Sequence, residues 1–141
     1  MIIKQLSIFL ENKTGRLTEV TQTLGNNGIN ISALSVADTS EYGILRLIVS
    51  NPEKAVEVLK ESGFSVSLTD VICIKVPHTN GALNKALQIF SKENISIEYM
   101  YAFAVDNNAS VIMKVKDIHK SIDILKEHQL ELINADEAYQ I

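Results

Sequence analysis

Apolar residues along the chain follow two periodicities, one typical of strands and one typical of helices. Residues 2–10 alternate apolar and polar side chains, which is the two-residue period of a strand with one buried face. Residues 16–27 instead repeat apolar side chains every three to four positions, which predicts a helix. The run Gly25-Asn-Asn-Gly28 then supplies residues that commonly end a helix.

A hairpin, a second helix and a closing strand follow in the same half of the chain. The predicted strands are 29–38 and 44–49, joined by a turn at Thr39–Gly43, and then 64–68. The helix between the last two begins at Asn51-Pro52-Glu53 and ends at Gly63. Asparagine caps a first helical turn, proline needs no N–H there, and an acid favours the positive end of the helix dipole.

The same order recurs 66 positions further on without a gap, so the chain contains two copies of one module. Matching pairs include Gly15 with Gly81, Leu17 with Leu83, Ile29 with Ile95 and Val49 with Val115. The second copy predicts a strand at 71–76, a helix at 82–93, strands at 95–105 and 109–116, a helix at 118–128 and a strand at 129–133.

Each copy therefore has the order βαββαβ, and we expect two tandem modules, residues 1–69 and 70–141. This order closes most simply as a four-stranded antiparallel sheet with both helices on one face, which is the ferredoxin-like α+β fold. The sheet then has one face without helices and has strand edges that need a cover. Two modules that share an edge, or two chains that stack as a homodimer, would cover these surfaces.

Composition excludes several classes of protein. The chain is 46% hydrophobic and 21% charged, which is typical of a globular protein. Its net charge of -4 gives no general attraction to nucleic acid. One cysteine rules out an internal disulfide framework and favours a reducing, cytoplasmic location. Neither a signal peptide nor a membrane-spanning run is visible, so we expect no membrane partner.

The glycines at the two strand–helix turns, Gly15 and Gly81, are the first candidate for chemistry. Each could serve only as a turn residue with a positive φ. Alternatively, each also lets a ligand approach the backbone N–H groups at the helix start, where a carboxylate is favoured by unpaired donors and by the helix dipole. The glycine alone does not decide between the two.

Two asparagines strengthen the ligand interpretation. Asn12 lies three residues before Gly15, and Asn30 is a polar residue between two isoleucines. Turn capping would explain both, since a buried amide must find partners. As ligand contacts, their amide oxygens would hold the ammonium of an amino-acid zwitterion while the helix-start N–H groups hold its carboxylate. No catalytic group is needed for this role.

The pattern Asn12-x-x-Gly15-x-Leu17, with Asn30 fifteen residues after the glycine, resembles the ACT domain. The resemblance covers both copies and implies βαββαβ modules that bind amino acids and regulate metabolic enzymes, as in phosphoglycerate dehydrogenase and aspartokinase. The ligand-binding residues that it implies are Asn12, Gly15, Arg16, Leu17, Asn30 and Ile31 in the first copy, and His78, Gly81, Ala82, Leu83, Ser96 and Ile97 in the second.

Two departures from the ACT pattern affect these expectations. Thr14 and Asn80 stand where the family usually has proline, so the turns are less rigid. The second copy replaces both asparagines, by His78 and Ser96, which predicts a weaker or purely structural site. The resemblance also implies modules joined side by side in an eight-stranded sheet, ligand held at the turn and at the module seam, and a regulated enzyme in trans.

Other functions have less support in the sequence. An enzyme on this scaffold would need a general acid or base in a pocket, and no cluster of candidates is visible. An RNA-binding sheet would need basic residues, but arginine occurs only at Arg16 and Arg46. We expect His119 and His128 on a solvated helix face and Cys73 as a structural thiol. We therefore predict no catalytic residue, no metal and no cofactor.

Overall fold

A computed structural model describes residues 1–38 and 41–141 and divides into two compact units. We call Lys4–Thr69 with Ala138–Ile141 the first unit, and Met1–Ile3 with Asp70–Glu137 the second unit. The units meet along the chain between Thr69 and Asp70, where the predicted modules also meet, and they differ from those modules only at the two chain ends.

The first unit has the order βαββαβ. Its elements are β1 (Ile3–Glu11), α1 (Arg16–Asn26), β2 (Ile31–Asp38), β3 (Tyr42–Val49), α2 (Pro52–Glu61) and the first part of β4 (Ser65–Pro77). The strand order is β2-β3-β1-β4, and β3 pairs antiparallel with both of its neighbours. Asn51 caps α2 as predicted, because its side chain accepts a hydrogen bond from the Lys54 N–H. Part of the predicted turn Thr39–Gly43 lies outside the described residues.

The second unit repeats this architecture. Its elements are the rest of β4, α3 (Ala82–Lys92), β5 (Ile97–Val105), β6 (Asn108–Val115), α4 (Ile118–Glu127) and β7 (Glu131–Leu132). The strand order is β5-β6-β4-β7, with antiparallel pairing throughout. The tandem βαββαβ fold predicted from the repeat is thus confirmed. None of the helices in the described ranges is long and apolar enough to span a membrane.

Helices and strands bury one apolar cluster in each unit. In the first unit the cluster joins one face of the sheet to both helices, and its fully buried members include Leu6, Ile8, Val20, Leu24, Leu45, Leu47, Ala55 and Leu59. In the second unit the corresponding cluster includes Ile72, Ile74, Phe90, Val111, Met113, Val115 and Leu125. Both helices of a unit therefore lie on the same face of its sheet, as predicted.

Strand β4 differs from the sequence prediction. The strands expected at 64–68 and 71–76 are one continuous strand, so the described residues contain seven strands and not eight. The link Thr69-Asp70 contains neither glycine nor proline, and nothing in it forces the chain to turn. The side-by-side joining of the modules stays a prediction.

The chain end holds a short helix that the apolar periodicity does not predict. This helix, α5 (Ala135–Tyr139), begins where the Asn134 side chain accepts a hydrogen bond from the Glu137 N–H at 2.8 Å. The capping asparagine followed by two acids was the available sequence signal. Tyr139 belongs to the first unit: its hydroxyl accepts from the Lys4 N–H at 2.9 Å, and its carbonyl accepts from the Ser32 hydroxyl at 3.3 Å.

Candidate functional site

The two strand–helix turns, at Gly15 and Gly81, share one backbone conformation. The angle φ is +93° at Gly15 and +81° at Gly81, in the left-handed region that residues with a Cβ rarely adopt. Each glycine is the N-cap residue of its helix, and neither helix has a side-chain cap. The predicted need for glycine at both turns is confirmed.

Backbone donors are available at the start of α1 because glycine offers no capping side chain. The Glu19 N–H donates to the Gly15 carbonyl at 3.0 Å. The N–H groups of Leu17 and Thr18 precede it in the first turn, where no intrahelical acceptor exists. The Leu17 side chain is 42% exposed, so this helix start is open to solvent. Such a terminus favours a small anion, because the helix dipole places partial positive charge there.

Four charged side chains surround the turn of the first unit and cancel one another. Lys13 Nζ lies 2.8 Å from Glu11 Oε2, Arg16 lies 3.9 Å from the same oxygen, and Arg16 lies 3.1 Å from Glu19 Oε2. The hydrogen bond and charge of Lys13, followed by the charge of Arg16, lower the pKa of Glu11. The pairs are exposed and contribute little to stability. Their balance suits a zwitterion better than a ligand of strong net charge.

A depression of about 170 Å³ lies beside this turn. Its lining contains three predicted site residues, Asn12, Arg16 and Leu17, together with Val36 of β2 and Gly43 of β3. The Asn12 N–H donates to the Glu41 carbonyl at 3.1 Å, which ties the turn to the residue before β3. Asn12 is exposed to solvent. Val36 and Gly43 were missed because their contact with the turn depends on strand pairing.

Asn30 and Ile31 are not part of that depression. The Asn30 N–H donates to the Ser50 hydroxyl at 3.0 Å, and its carbonyl accepts from the Ser50 N–H at 2.9 Å. Ser50 follows the last residue of β3, whereas Asn12 is bonded at the other end of that strand. A strand of this length spans about 24 Å at roughly 3.4 Å per residue. The structure therefore does not bring Asn12 and Asn30 together within the first unit.

The reason for this separation is the direction of α1. Fifteen residues after Gly15 the chain has passed along an eleven-residue helix and returned to the end of the sheet where β1 began. The fifteen-residue spacing between Gly15 and Asn30 therefore corresponds to one complete strand–helix return. A ligand that contacts both asparagines must therefore contact one of them in a second copy of the chain.

The second unit places its predicted residues in the same way. His78 is exposed, and its N–H donates to the Asn107 carbonyl at 2.8 Å, just before β6. Leu83 is 36% exposed at the start of α3. Ser96 lies beyond the other end of β6 and lines a cavity of about 140 Å³ with Asp117. His78 and Ser96 are therefore also separated by the length of a strand.

Two other residues considered in the sequence have structural roles. Cys73 is a free, buried thiol, and burial raises its pKa to about 12, so it is not a nucleophile at neutral pH. His119 is exposed as predicted, but His128 follows α4 and its Nε2 lies 2.8 Å from Glu93 Oε1. Within the part of the chain that the structure describes, no group of three potential ligands is placed to hold a metal ion.

A family model described as an ACT domain pair matches residues 1–141. The chain belongs to the ACT domain pair family. The βαββαβ order, the two glycine turns and the continuous repeat, which the sequence predicted, are all present in this ACT domain pair.

Solved structures with the same fold include one at substantial sequence identity. Protein BT0572 from Bacteroides thetaiotaomicron is 49% identical to this ACT domain pair over 100% of this chain and 98% of that one, with a TM-score of 0.97. The regulatory subunit of aspartate kinase from Thermus thermophilus, in a ligand-free form, is 18% identical, covers 89% and 90%, and has a TM-score of 0.68. Its Thermus flavus counterpart is also 18% identical, covers 90% and 92%, and has a TM-score of 0.62. No curated protein sequence matches the chain.

Proposed function

We propose that this ACT domain pair is a regulatory or sensor protein that binds a small amino acid at the strand–helix turn of the first unit. The observation that carries the proposal is the uncapped start of α1 beside Asn12, inside a solvent-open depression. The carboxylate of the ligand would accept from the Leu17 and Thr18 N–H groups. Its ammonium would donate to the Asn12 amide oxygen.

Asn30 would join this site from a second copy of the chain. Among the described residues β2 pairs with β3 alone, and it contains neither lysine nor proline to block further pairing. Leu34 and Val36 on this strand are 51% and 49% exposed. If two β2 strands pair antiparallel, the start of one lies beside the end of the other, where Val36 lines the depression. A homodimer would thus bring Asn30 of the second copy toward Asn12.

The second unit would bind more weakly or serve only a structural role. His78, Gly81, Ala82, Leu83, Ser96 and Ile97 occupy the matching positions, but neither side chain that replaces an asparagine is an amide. We propose that the protein has no catalytic activity of its own and acts on a cytoplasmic enzyme in trans. The fold shared with regulatory subunits of aspartate kinase supports a regulatory role.

A thermal-shift screen of the twenty amino acids tests the proposal. A ligand at 100 times its Kd stabilises the folded state by about 2.7 kcal/mol, which raises the unfolding midpoint by several degrees. Asn12→Ala should abolish most of that shift, whereas Asn26→Ala, an exposed position at the far end of α1, should retain it. A panel in which no amino acid raises the midpoint would refute amino-acid binding.

The proposed contribution of a second copy is tested with the same ligand. Asn30→Ala should weaken binding, and Leu34→Lys, on β2 but outside the lining of the depression, should produce a monomer in analytical ultracentrifugation and weaken binding in parallel. Full affinity in a monomeric Leu34→Lys variant would remove the second copy from the site while leaving the turn site intact.

A further inference from the structure

Each unit has a second cavity on the opposite flank of its turn, toward the last strand. Its volume is about 250 Å³ in the first unit and about 390 Å³ in the second. In both units its walls are the end of the first strand, the start of the first helix and the start of the last strand: Leu10, Arg16 and Phe64 in one, Val76, Ala82 and Leu130 in the other. Every lining residue of the smaller cavity except Tyr42 has its counterpart 66 positions on in the lining of the larger.

The cavity recurs at matched positions although its side chains differ, so the backbone path of the module sets its shape. The chain reversal before the last strand shapes one wall in both units, with φ of +87° at Gly63 and +59° at Gln129. A residue with a Cβ rarely adopts this conformation, so Gln129 keeps the same reversal at some strain. The recurrence argues against an accidental packing gap.

Charge distinguishes the two cavities. In the second unit the lining contains two cations, Lys75 and Lys85, and one anion, Glu131. Lys75 Nζ lies 3.6 Å from Glu131 Oε1, and the two residues are cross-strand partners. Lys85 is exposed and has no ion-pair partner among the residues that the structure describes. The cavity is thus net positive on a chain of net charge -4, which favours an anionic ligand.

The smaller cavity of the first unit lacks this excess. Its lining contains one cation, Arg16, and one anion, Glu11. Arg16 is already held by Glu19 at 3.1 Å. Three aromatic side chains line it, Phe9, Tyr42 and Phe64, and Phe9 stands at the position that matches Lys75. The two cavities therefore share a shape and differ in the ligand they suit.

An apolar surface lies next to the lysines in the second unit. Val76 and Ala86 are 4% and 3% exposed and form part of the buried core, and Ile89 and Leu130 pack against that core. All four side chains are aliphatic and line the cavity. A volume of about 390 Å³ falls within the roughly 300–1,000 Å³ typical of small-molecule sites.

We propose that the cavity of the second unit binds a small monoanion with an aliphatic body, of which a short-chain carboxylate is the simplest. Lys85 holds the carboxylate at the rim, and the hydrocarbon chain lies against Val76, Ala86 and Leu130. This site is separate from the amino-acid site proposed above, which lies at the turn of the first unit.

A ¹H–¹⁵N NMR titration of the full chain with hexanoate tests this assignment. We expect saturable shifts of the Val76, Ala86 and Leu130 amides, with a Kd near millimolar, and affinities about tenfold weaker for hexan-1-ol and for inorganic phosphate. Equal binding of hexan-1-ol would overturn the anion requirement, and equal binding of phosphate would overturn the aliphatic one. Absence of saturable shifts, or equal shifts around Phe64 in the first unit, would refute the site.

A matched pair of variants on α3 provides the control. Lys85→Gln should weaken hexanoate binding about tenfold, because it removes the unpaired cation and leaves a good helix former on an exposed face. Lys92→Gln, at the far end of the same helix, should leave the affinity unchanged. Equal affinities of the two variants would remove Lys85 from the site. The amino-acid response of Asn12 variants is a separate readout, so either proposal can fail alone.

Discussion

The strand–helix turns of the two units share one backbone conformation but are surrounded by different side chains. Gly15 and Gly81 begin α1 and α3 with nearly the same φ, so both units present uncapped N–H groups at the same place. The side chains around them differ: the first turn has a balanced set of four charged residues, and the matching positions of the second are Pro77, Thr79, Ala82 and Lys85. The uncapped helix start is therefore a property of the fold, and we expect the side chains around it to set which ligand, if any, each turn favours.

This internal repetition provides a control for mutations within the repeat, because a repeated position has its counterpart 66 residues away. A variant in one unit can be compared with the matching variant in the other, in the same molecule. The pairs Leu47 and Met113, Gly15 and Gly81, and Ser7 and Cys73 test how far the two units are equivalent.

Core truncation should have the largest effect. Leu47 and Met113 occupy matching positions and are both 0% exposed. Leu47→Ala and Met113→Ala should each lower the free energy of unfolding by about 2–5 kcal/mol, because each leaves a cavity in its own cluster. Urea denaturation measures the loss, and hydrogen exchange should place it in the mutated unit. Uniform loss of protection across both units would show that they unfold together.

Alanine at the turn glycines should lower the free energy of unfolding less than core truncation does. A Cβ at Gly15 or Gly81 meets nothing within 4 Å, so any loss of stability comes from the positive φ alone. Gly15→Ala and Gly81→Ala should each lower the free energy of unfolding by about 1–2 kcal/mol. Gly25→Ala, inside α1 without a positive φ, should raise it by about 0.5–1 kcal/mol. A Gly81→Ala variant as stable as Gly25→Ala would contradict the equivalence of the two turns.

The last comparison pairs Cys73 with Ser7, its counterpart, and concerns an effect that appears only above pH 9. Burial raises the pKa of Cys73 to about 12 from the ordinary 9.0. The unfolded chain releases the thiol proton above pH 9 while the folded chain keeps it, so stability falls between pH 9 and 12, by up to about 1.4 kcal/mol per pH unit. Ser7, whose hydroxyl lies 2.8 Å from Thr69 Oγ1, does not titrate.

Denaturation of the native chain and of Cys73→Ala at pH 8, 9, 10 and 11 isolates this contribution. The difference in the free energy of unfolding between the two proteins should be constant below pH 9. Above pH 9 the native chain should lose stability relative to Cys73→Ala. A thiol reagent at pH 8 should react with the native protein only as it unfolds. Rapid reaction of the folded protein would contradict the burial of Cys73.

Local features of this protein follow from its sequence. Hydrophobic periodicity and caps such as Asn51 act over a few residues, so they predicted the helices α1 to α4, most strands and the repeat. Gly15 and Gly81 revealed their turns for the same reason, since a positive φ is a property of one residue. The family resemblance rests on these local signals, and the match over residues 1–141 agrees with it.

Contacts between residues that are distant along the chain follow from the fold and not from local sequence. The fold separated Asn12 from Asn30 by the length of β3, joined two predicted strands into β4, and placed Tyr139 on Lys4 and Ser32. It also showed the second cavity beside each turn, with Lys85 at the rim of one. Such contacts depend on the path of the chain and on strand pairing, and spacing along the sequence does not measure either. The sequence alone therefore determined the modules and their turns, and the folded chain decided which side chains share a site.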